Sequence, residues 1–274
     1  TIPIMIMHVS AHLCCVNSAM IRASGIAEDA PDPEGGHYGR LDDGVTISGY
    51  AEEAGMVVYQ TVMAKLFKPD VRAMMSSMQK AYLENGVTTV QDGATNSRDF
   101  QMLTAMAKLH MLKLDVVTYP LMGDDGNALM QDNWEIYKDY HHHLKIGGYK
   151  LVLDGSPQGR SAWMSEPYLG GEEDYCGYPW MKDEDVQKFT LQAVQEGKQL
   201  LAHCNGDAAS DQYLNAYEKA LEIAGATSDL RPVMIHCQTV RNDQLDRMAK
   251  TNMIASIFVG HVWYWGDVHV RNFG

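Results

Sequence analysis

Basic residues are scarce in this chain. Its 274 residues carry 22 Lys and Arg against 35 Asp and Glu, a formal charge of −13. A nucleic-acid binder needs a basic face to neutralise phosphates, and docking on an anionic membrane asks for the same, so neither partner is expected. A small-molecule substrate stays open, because a site can be locally positive on an acidic protein. Cysteine is also sparse: Cys14, Cys15, Cys176, Cys204 and Cys237 make an odd count with one adjacent pair and no CxxC. That is neither a disulfide framework nor a zinc finger; reduced thiols in a cytoplasmic protein are expected. No apolar run approaches the roughly 20 residues of a membrane-spanning helix. No signal-peptide pattern is visible, although the sequence begins at Thr1 without an initiator Met.

What is present is a large apolar fraction, 46% against 21% charged residues, enough for a sizeable core. The length suits one α/β domain or a barrel. Two regions divide it. Residues 1–85 read as a short apolar strand, a helix ending near Gly25, a Gly/Asp/Pro-rich loop or small hairpin over 27–49, and a helical stretch over 51–85 interrupted near Lys68-Pro69-Asp70. Residues 86–274 are more regular. Apolar strands are expected at 87–93, 115–122, 149–156, 198–207, 231–238 and 253–260, with helices near 97–112, 129–143, 183–196, 208–224 and 241–250 between them. Strands alternating with helices predict a parallel sheet. Six such units do not close an eight-stranded barrel, and the chain reads as ending just after a strand. The expectation is therefore an incomplete barrel with open edges, with a homo-oligomer as one way to cover them.

In a parallel barrel, chemistry collects where the strands end and the loops converge. The polar residues there are Asp92, Lys150 with Asp154, His203 with Asp207, His236 with Gln238, and His261. His203 and His236 both follow apolar runs and both open loops, on neighbouring strands, which suits imidazole ligands of a metal ion. Lys150 begins KLVLDGS and points inward if the strand alternates. A buried lysine tends to lose its proton, and the neutral amine can react with carbon dioxide to a carbamate that bridges cations. On spacing alone, a plain ion pair of Lys150 with Asp154 or Asp92 is the simpler reading. Alternation points Cys204 and Cys237 away from their histidine neighbours, as small core residues.

Several segments in order resemble the YtcJ-like metal-dependent amidohydrolases (amidohydrolase family 3): HVSAHLCCVNSAM (8–20), SGYAEEA (48–54), GVTTVQDG (86–93), KLVLDGSPQGRSAWM (150–164), HCNGDAASDQYLNAYEKA (203–220) and RPVMIHCQ (231–238), with HVWYWGD (261–267) as a subgroup variant. The resemblance implies a (β/α)8 TIM-like metallo-barrel with a small β-sandwich built from both chain ends. An HxH pair on the first strand, a carboxylated lysine on the fourth, and histidines on the fifth and sixth would hold one or two divalent ions, zinc above all. An aspartate on the eighth strand would shuttle the proton. Carried over, Lys150, His203 and His236 match the lysine and the two later histidines, and the six expected strands become barrel strands two to seven. Residues 1–85 become a segment inserted between the first and second strands.

No HxH occurs ahead of the second expected strand, and the one such spacing, His141 with His143, falls between strands; His8 and His12 are spaced HxxxH, and a general-base aspartate would lie beyond Gly274. The β-sandwich is expected to be missing as well, and metal to be held weakly by residues 1–274 alone. Around the ligands, the resemblance and the loop positions suggest His12, Arg160, His261 and Trp265 as substrate-binding residues, with Trp263 and Tyr264 as a further aromatic wall. Asn17 and Ser161 are lesser candidates, and Asp207 is expected to cap the next helix. The implied reaction is hydrolysis of a non-peptide, amide-type carbon–nitrogen bond by metal-activated water. An ester or lactone metallohydrolase, or a catalytically silent barrel, remain alternatives. The H-x-E…P-C-x-x-C signature of zinc nucleobase deaminases is absent.

Overall fold

The computed structural model describes residues 2–68, 70–171, 173–225 and 229–274. The regular half of the sequence folds as its apolar runs require. Strands β5 (Thr89–Thr95), β6 (Asp115–Pro120), β7 (Leu144–Ile146), β8 (Gly148–Val152), β9 (Gln199–Cys204), β10 (Val233–His236) and β11 (Ile254–Ile257) pair in parallel in two runs, β5-β6-β7 and β8-β9-β10-β11. A parallel bridge from Leu121 to Lys150 joins the runs. All six expected strands are present. The short β7 was not expected; it lies just ahead of β8, and Gly147-Gly148 separates the two. A side chain on Gly148 would meet the Gln199 carbonyl oxygen at 2.1 Å, so only glycine lets β8 approach β9 this closely.

Helices α4 (Ser97–Lys108), α5 (Asp124–Tyr137), α6 (Asp183–Gln195), α7 (Asp207–Ala224) and α8 (Asn242–Lys250) follow the strands. They cover one face, where Leu151, Leu153, Leu200, Ala202, Cys204 and Met234 form the core with Tyr213 and Tyr217 of α7. Alternation puts Lys150, Leu201 and His203 on the opposite face. The chain does not finish on a strand: residues 260–273 form α9 (Gly260–Phe273).

The N-terminal segment departs furthest from expectation. It contains a four-stranded antiparallel sheet in the order β1-β2-β4-β3: β1 (Met5–Met7), β2 (Leu13–Val16), β3 (Gly36–Arg40) and β4 (Ile47–Glu53). Helix α1 (Ser18–Ser24) follows β2, capped by the Asn17 side chain at its start and by left-handed Gly25 at its end. Of the loop or small hairpin expected over 27–49, the hairpin is what forms, whereas residues 51–53 are strand rather than the start of a helix. Helices α2 (Val57–Leu66) and α3 (Val71–Glu84) come after it, and Pro69 between them lies outside the described residues. This sheet has its own small core around Met20, Tyr38, Ile47 and Tyr59. Among the described residues, no helix is long and apolar enough to cross a membrane.

Candidate active site

A cavity of about 590 Å³ opens at the carboxyl ends of β8, β9 and β10, lined by His12, Ser156, Gln158, His203, Asn205, His236, Phe258, His261 and Trp265, among others. Four imidazoles run through it. Ring centroids are 5.0 Å apart for His12 and His203, 4.6 Å for His203 and His236, and 5.5 Å for His236 and His261. The His203–His236 spacing is well inside the roughly 8 Å that a shared ligand would need, given bonds of about 2 Å.

Strand alternation alone does not bring these two together. His236 pairs in register with Cys204, and Ile235 with His203, which would send His236 to the helix side. The backbone reverses this: His236 and Cys237 have φ of 72° and 48°, a left-handed turn that swings the imidazole into the cavity and leaves Cys237 in the core. Non-glycine residues adopt this conformation at a cost, and such strain collects at functional sites.

Burial sets the charge states. It drives His203 well below the usual imidazole range, with His236, Lys150 and His12 adding to the shift. It lowers His236 to about 3, helped by Lys150, His261 and His12; Lys150 acts on both rings through its charge and is not among the residues that line the cavity. Both rings are therefore neutral with lone pairs available. Lys150 is 5% exposed, and burial lowers its pKa to about 8 against the opposing effect of Cys204 and Asp154. No hydrogen bond or ion pair holds its amine among the described residues. The simpler sequence reading, a pair with Asp154 or Asp92, is not what the structure holds. Asp154 instead accepts the backbone N–H groups of Trp163, Asn205 and Gly206, stitching the loops after β8 and β9 together. Its own pKa rises to about 7 through burial.

Other expected residues divide. His261, in the first turn of α9, sits with Nε2 3.4 Å from His236 Nδ1. Trp265 lines the cavity, 5.6 Å from the His8 ring, and Tyr264 reaches it too, whereas Trp263 is 84% exposed. Arg160 is elsewhere. It lines a neighbouring cavity of about 690 Å³, and its guanidinium donates to Asn272 Oδ1 and the Leu169 carbonyl, anchoring the end of α9. Asn17 is a helix cap. Asp207 does not cap α7; its carboxylate accepts from Ser165 N and from Arg241, tying the loop after β8 to α8. Asp92 lies on β5, partly buried.

Glu53 was not among the expected site residues, although it lies within the family-like segment SGYAEEA (48–54). Its carboxylate, buried at the end of β4, accepts from His12 Nδ1 at 2.7 Å and from the Ser161 hydroxyl at 2.7 Å. The stretch around it reads as a helix start, so only its position after an alternating run could have singled it out.

A profile of the amidohydrolase family matches residues 1–273. The chain belongs to that family. Among similar proteins, the Arabidopsis thaliana protein LONG AFTER FAR-RED 3 is 26% identical over 99% of this chain and 48% of its own length. The putative amidohydrolase YtcJ of Bacillus subtilis is 24% identical over 90% of this chain and 46% of its own. The chain spans about half the length of these relatives. A crystal structure of an uncharacterised metal-dependent hydrolase from Pyrococcus furiosus superposes with a TM-score of 0.70 at 23% identity, over 98% of this chain and 53% of that one, a likeness of fold.

Within this amidohydrolase fold, the donor chemistry of the cavity fits a divalent cation. Two neutral imidazoles stand edge to face, under the charge of a buried amine that has no hydrogen-bond partner among the described residues. Three buried oxygens that line the cavity, Ser156 Oγ, Gln158 Oε1 and Asn205 Oδ1, also lack a hydrogen-bond partner. The set is not a complete shell: among the described residues, no three His, Cys, Asp or Glu side chains are grouped to hold a metal ion.

Proposed function

We propose that this chain carries the central part of a (β/α)8 metallo-barrel that hydrolyses a non-peptide, amide-type carbon–nitrogen bond of a small molecule. One observation carries the reading. At the carboxyl ends of adjacent parallel strands, the neutral rings of His203 and His236 meet at 4.6 Å, and the charge of Lys150, buried and without a hydrogen-bond partner among the described residues, acts on both. His203, His236 and Lys150, the last as a carbamate, would hold one or two divalent ions, zinc above all. Such an ion, when bound, supplies Lewis acidity that polarises a carbonyl and acidifies water.

The protein's own part is to prepare the cavity. Burial keeps His203 and His236 deprotonated and lowers Lys150 towards the neutral amine that can attack carbon dioxide. Asp154 fixes the two loops that frame the donors. Trp265, Phe258 and Tyr264 line one side of the cavity with aromatic surface, and His261 borders it.

The test uses the full-length gene product, stripped with a chelator and titrated with zinc, with acetanilide and phenyl acetate as matched amide and ester probes. Zinc-dependent acetanilide hydrolysis is expected, with His203→Ala and His236→Ala each losing bound zinc by elemental analysis. Turnover of phenyl acetate alone would support an ester or lactone hydrolase. Full zinc loading without turnover of either probe would oppose hydrolysis of both bond types, and loss of neither activity nor metal in the variants would remove the ligand assignment.

A further inference from the structure

The antiparallel N-terminal sheet reaches the cavity through one pair, Glu53 and His12. Glu53 closes β4 with φ 47° and ψ −121°, a backbone geometry that a non-glycine residue adopts only when its surroundings enforce it. Three contacts enforce it here. Its N–H donates to the His12 carbonyl at 3.0 Å, its Oε2 accepts from His12 Nδ1, and its Oε1 accepts from Ser161. Ser161 belongs to the loop after β8, and its Oγ also accepts from Ser156 N at 3.0 Å. Glu53 therefore spans two layers of the molecule. It is 6% exposed, so its contacts are not diluted by water.

A carboxylate only accepts, so His12 Nδ1 must carry the proton it donates. That leaves Nε2 as the ring nitrogen not engaged by Glu53. Nε2 has no partner among the described residues, and His12 lines the cavity. Gln158 and Asn205 line it as well, and their Oε1 and Oδ1, without a partner among the described residues, are acceptors. An acceptor-rich wall favours a ligand that brings a donor, and a site built to hydrogen-bond an N–H rejects analogues that lack it.

We propose that Glu53 is a positioning residue that holds His12 with its Nε2 lone pair towards the substrate, and that this makes the site selective for amides bearing an N–H over N,N-disubstituted amides and esters. The inference rests on the hydrolase reading for the reaction, but not for the recognition.

The experiment uses the full-length, zinc-loaded protein with three probes. Acetanilide carries the N–H, whereas N-methylacetanilide and phenyl acetate lack it. With 15N-labelled histidine, His12 is expected as the Nδ1–H tautomer, its Nε2 resonance moving with acetanilide and not with the other two. Glu53→Gln is expected to mix the tautomers and abolish that response, with the circular-dichroism spectrum unchanged. In turnover, His12→Phe is expected to lower the kcat/KM ratio of acetanilide over N-methylacetanilide about tenfold, the loss of one hydrogen bond to a buried donor. A wild-type His12 protonated at Nε2, no response to acetanilide, or an equal response to all three probes would overturn the inference. Acetanilide that moves Nε2 without being hydrolysed would support the positioning role and remove the hydrolase reading instead.

Discussion

Lys150 shows what a single side chain costs when a site is prepared for chemistry rather than for stability. Its amine is buried without a hydrogen-bond partner among the described residues, and its pKa falls from 10.5 to about 8. Between those values the unfolded chain binds the proton more tightly than the folded one, so this group makes stability rise with pH across that window. Below about pH 8 the whole penalty applies. In metal-free protein, Lys150→Met is therefore expected to stabilise by on the order of 3 kcal/mol at pH 7, with the gain fading towards pH 10.5. Urea unfolding at the two ends of that range checks it; an equal effect at both would show that the amine is solvated. Gly155 works in the opposite sense. A side chain there would meet Glu53 Oε1 at 2.1 Å and Ser161 Oγ at 2.2 Å. Gly155→Ala is expected to destabilise by about 1–3 kcal/mol through overpacking and to disturb the His12 tautomer in the same spectra. At this scale the sequence was informative where a residue ended an apolar run, as with His203 and His236. It marked the segment SGYAEEA without singling out Glu53, which joins distant segments, and nothing local reveals that α9 would claim the guanidinium of Arg160.

Elements were legible in proportion to how far their burial pattern is written locally. Runs such as QLLAHC and VMIH are continuous because the strands are covered by helices on one face and close on a narrow interior on the other. The antiparallel sheet was harder to see, since GHYGR and the Gly/Asp-rich turns around it hold few apolar residues and draw their stability from pairing. Helix α9 was masked by its own composition: VWYW and VHV are β-branched and aromatic, poor helix formers, and tertiary contacts at Asn272 override that preference. Contacts between elements were not legible at all. Gln79 of α3 is 4% exposed; its amide donates to the Met111 carbonyl and accepts from Lys113 N at 2.6 Å, fastening α3 to the connection between α4 and β6. Gln79→Leu is expected to strand both backbone groups and cost about 1–3 kcal/mol, read as a lower urea midpoint with an unchanged slope. A midpoint within error of wild type would mean that water replaces the amide.

At the scale of the molecule, the parallel strands end in edges. Among the described residues, β5 pairs only with β6 and β11 only with β10. Near β11, Ile254, Ile257, Phe258, Val259, Val262 and Trp263 are exposed, and on the N-terminal segment so are Ile2, Ile4, Ile6 and Val9. Val9 and Phe258 line the same cavity, so the two apolar stretches approach each other at its mouth. Open strand edges beside exposed apolar side chains are templates for pairing with another chain. The net charge of −13 opposes such contact through long-range repulsion, which salt screens over about 10 Å at 0.1 M. Residues 1–274 by themselves are therefore expected to associate as concentration rises, and more strongly in high salt than in low, the reverse of an assembly held by ion pairs. Light scattering coupled to size exclusion, across protein and salt series, reads this directly. Ile257→Lys, at the β11 edge, is expected to shift the curve back towards monomer without altering the circular-dichroism spectrum. A single monomeric species at every concentration and salt level would show that the edges are closed by the chain itself, and would weigh against an open barrel.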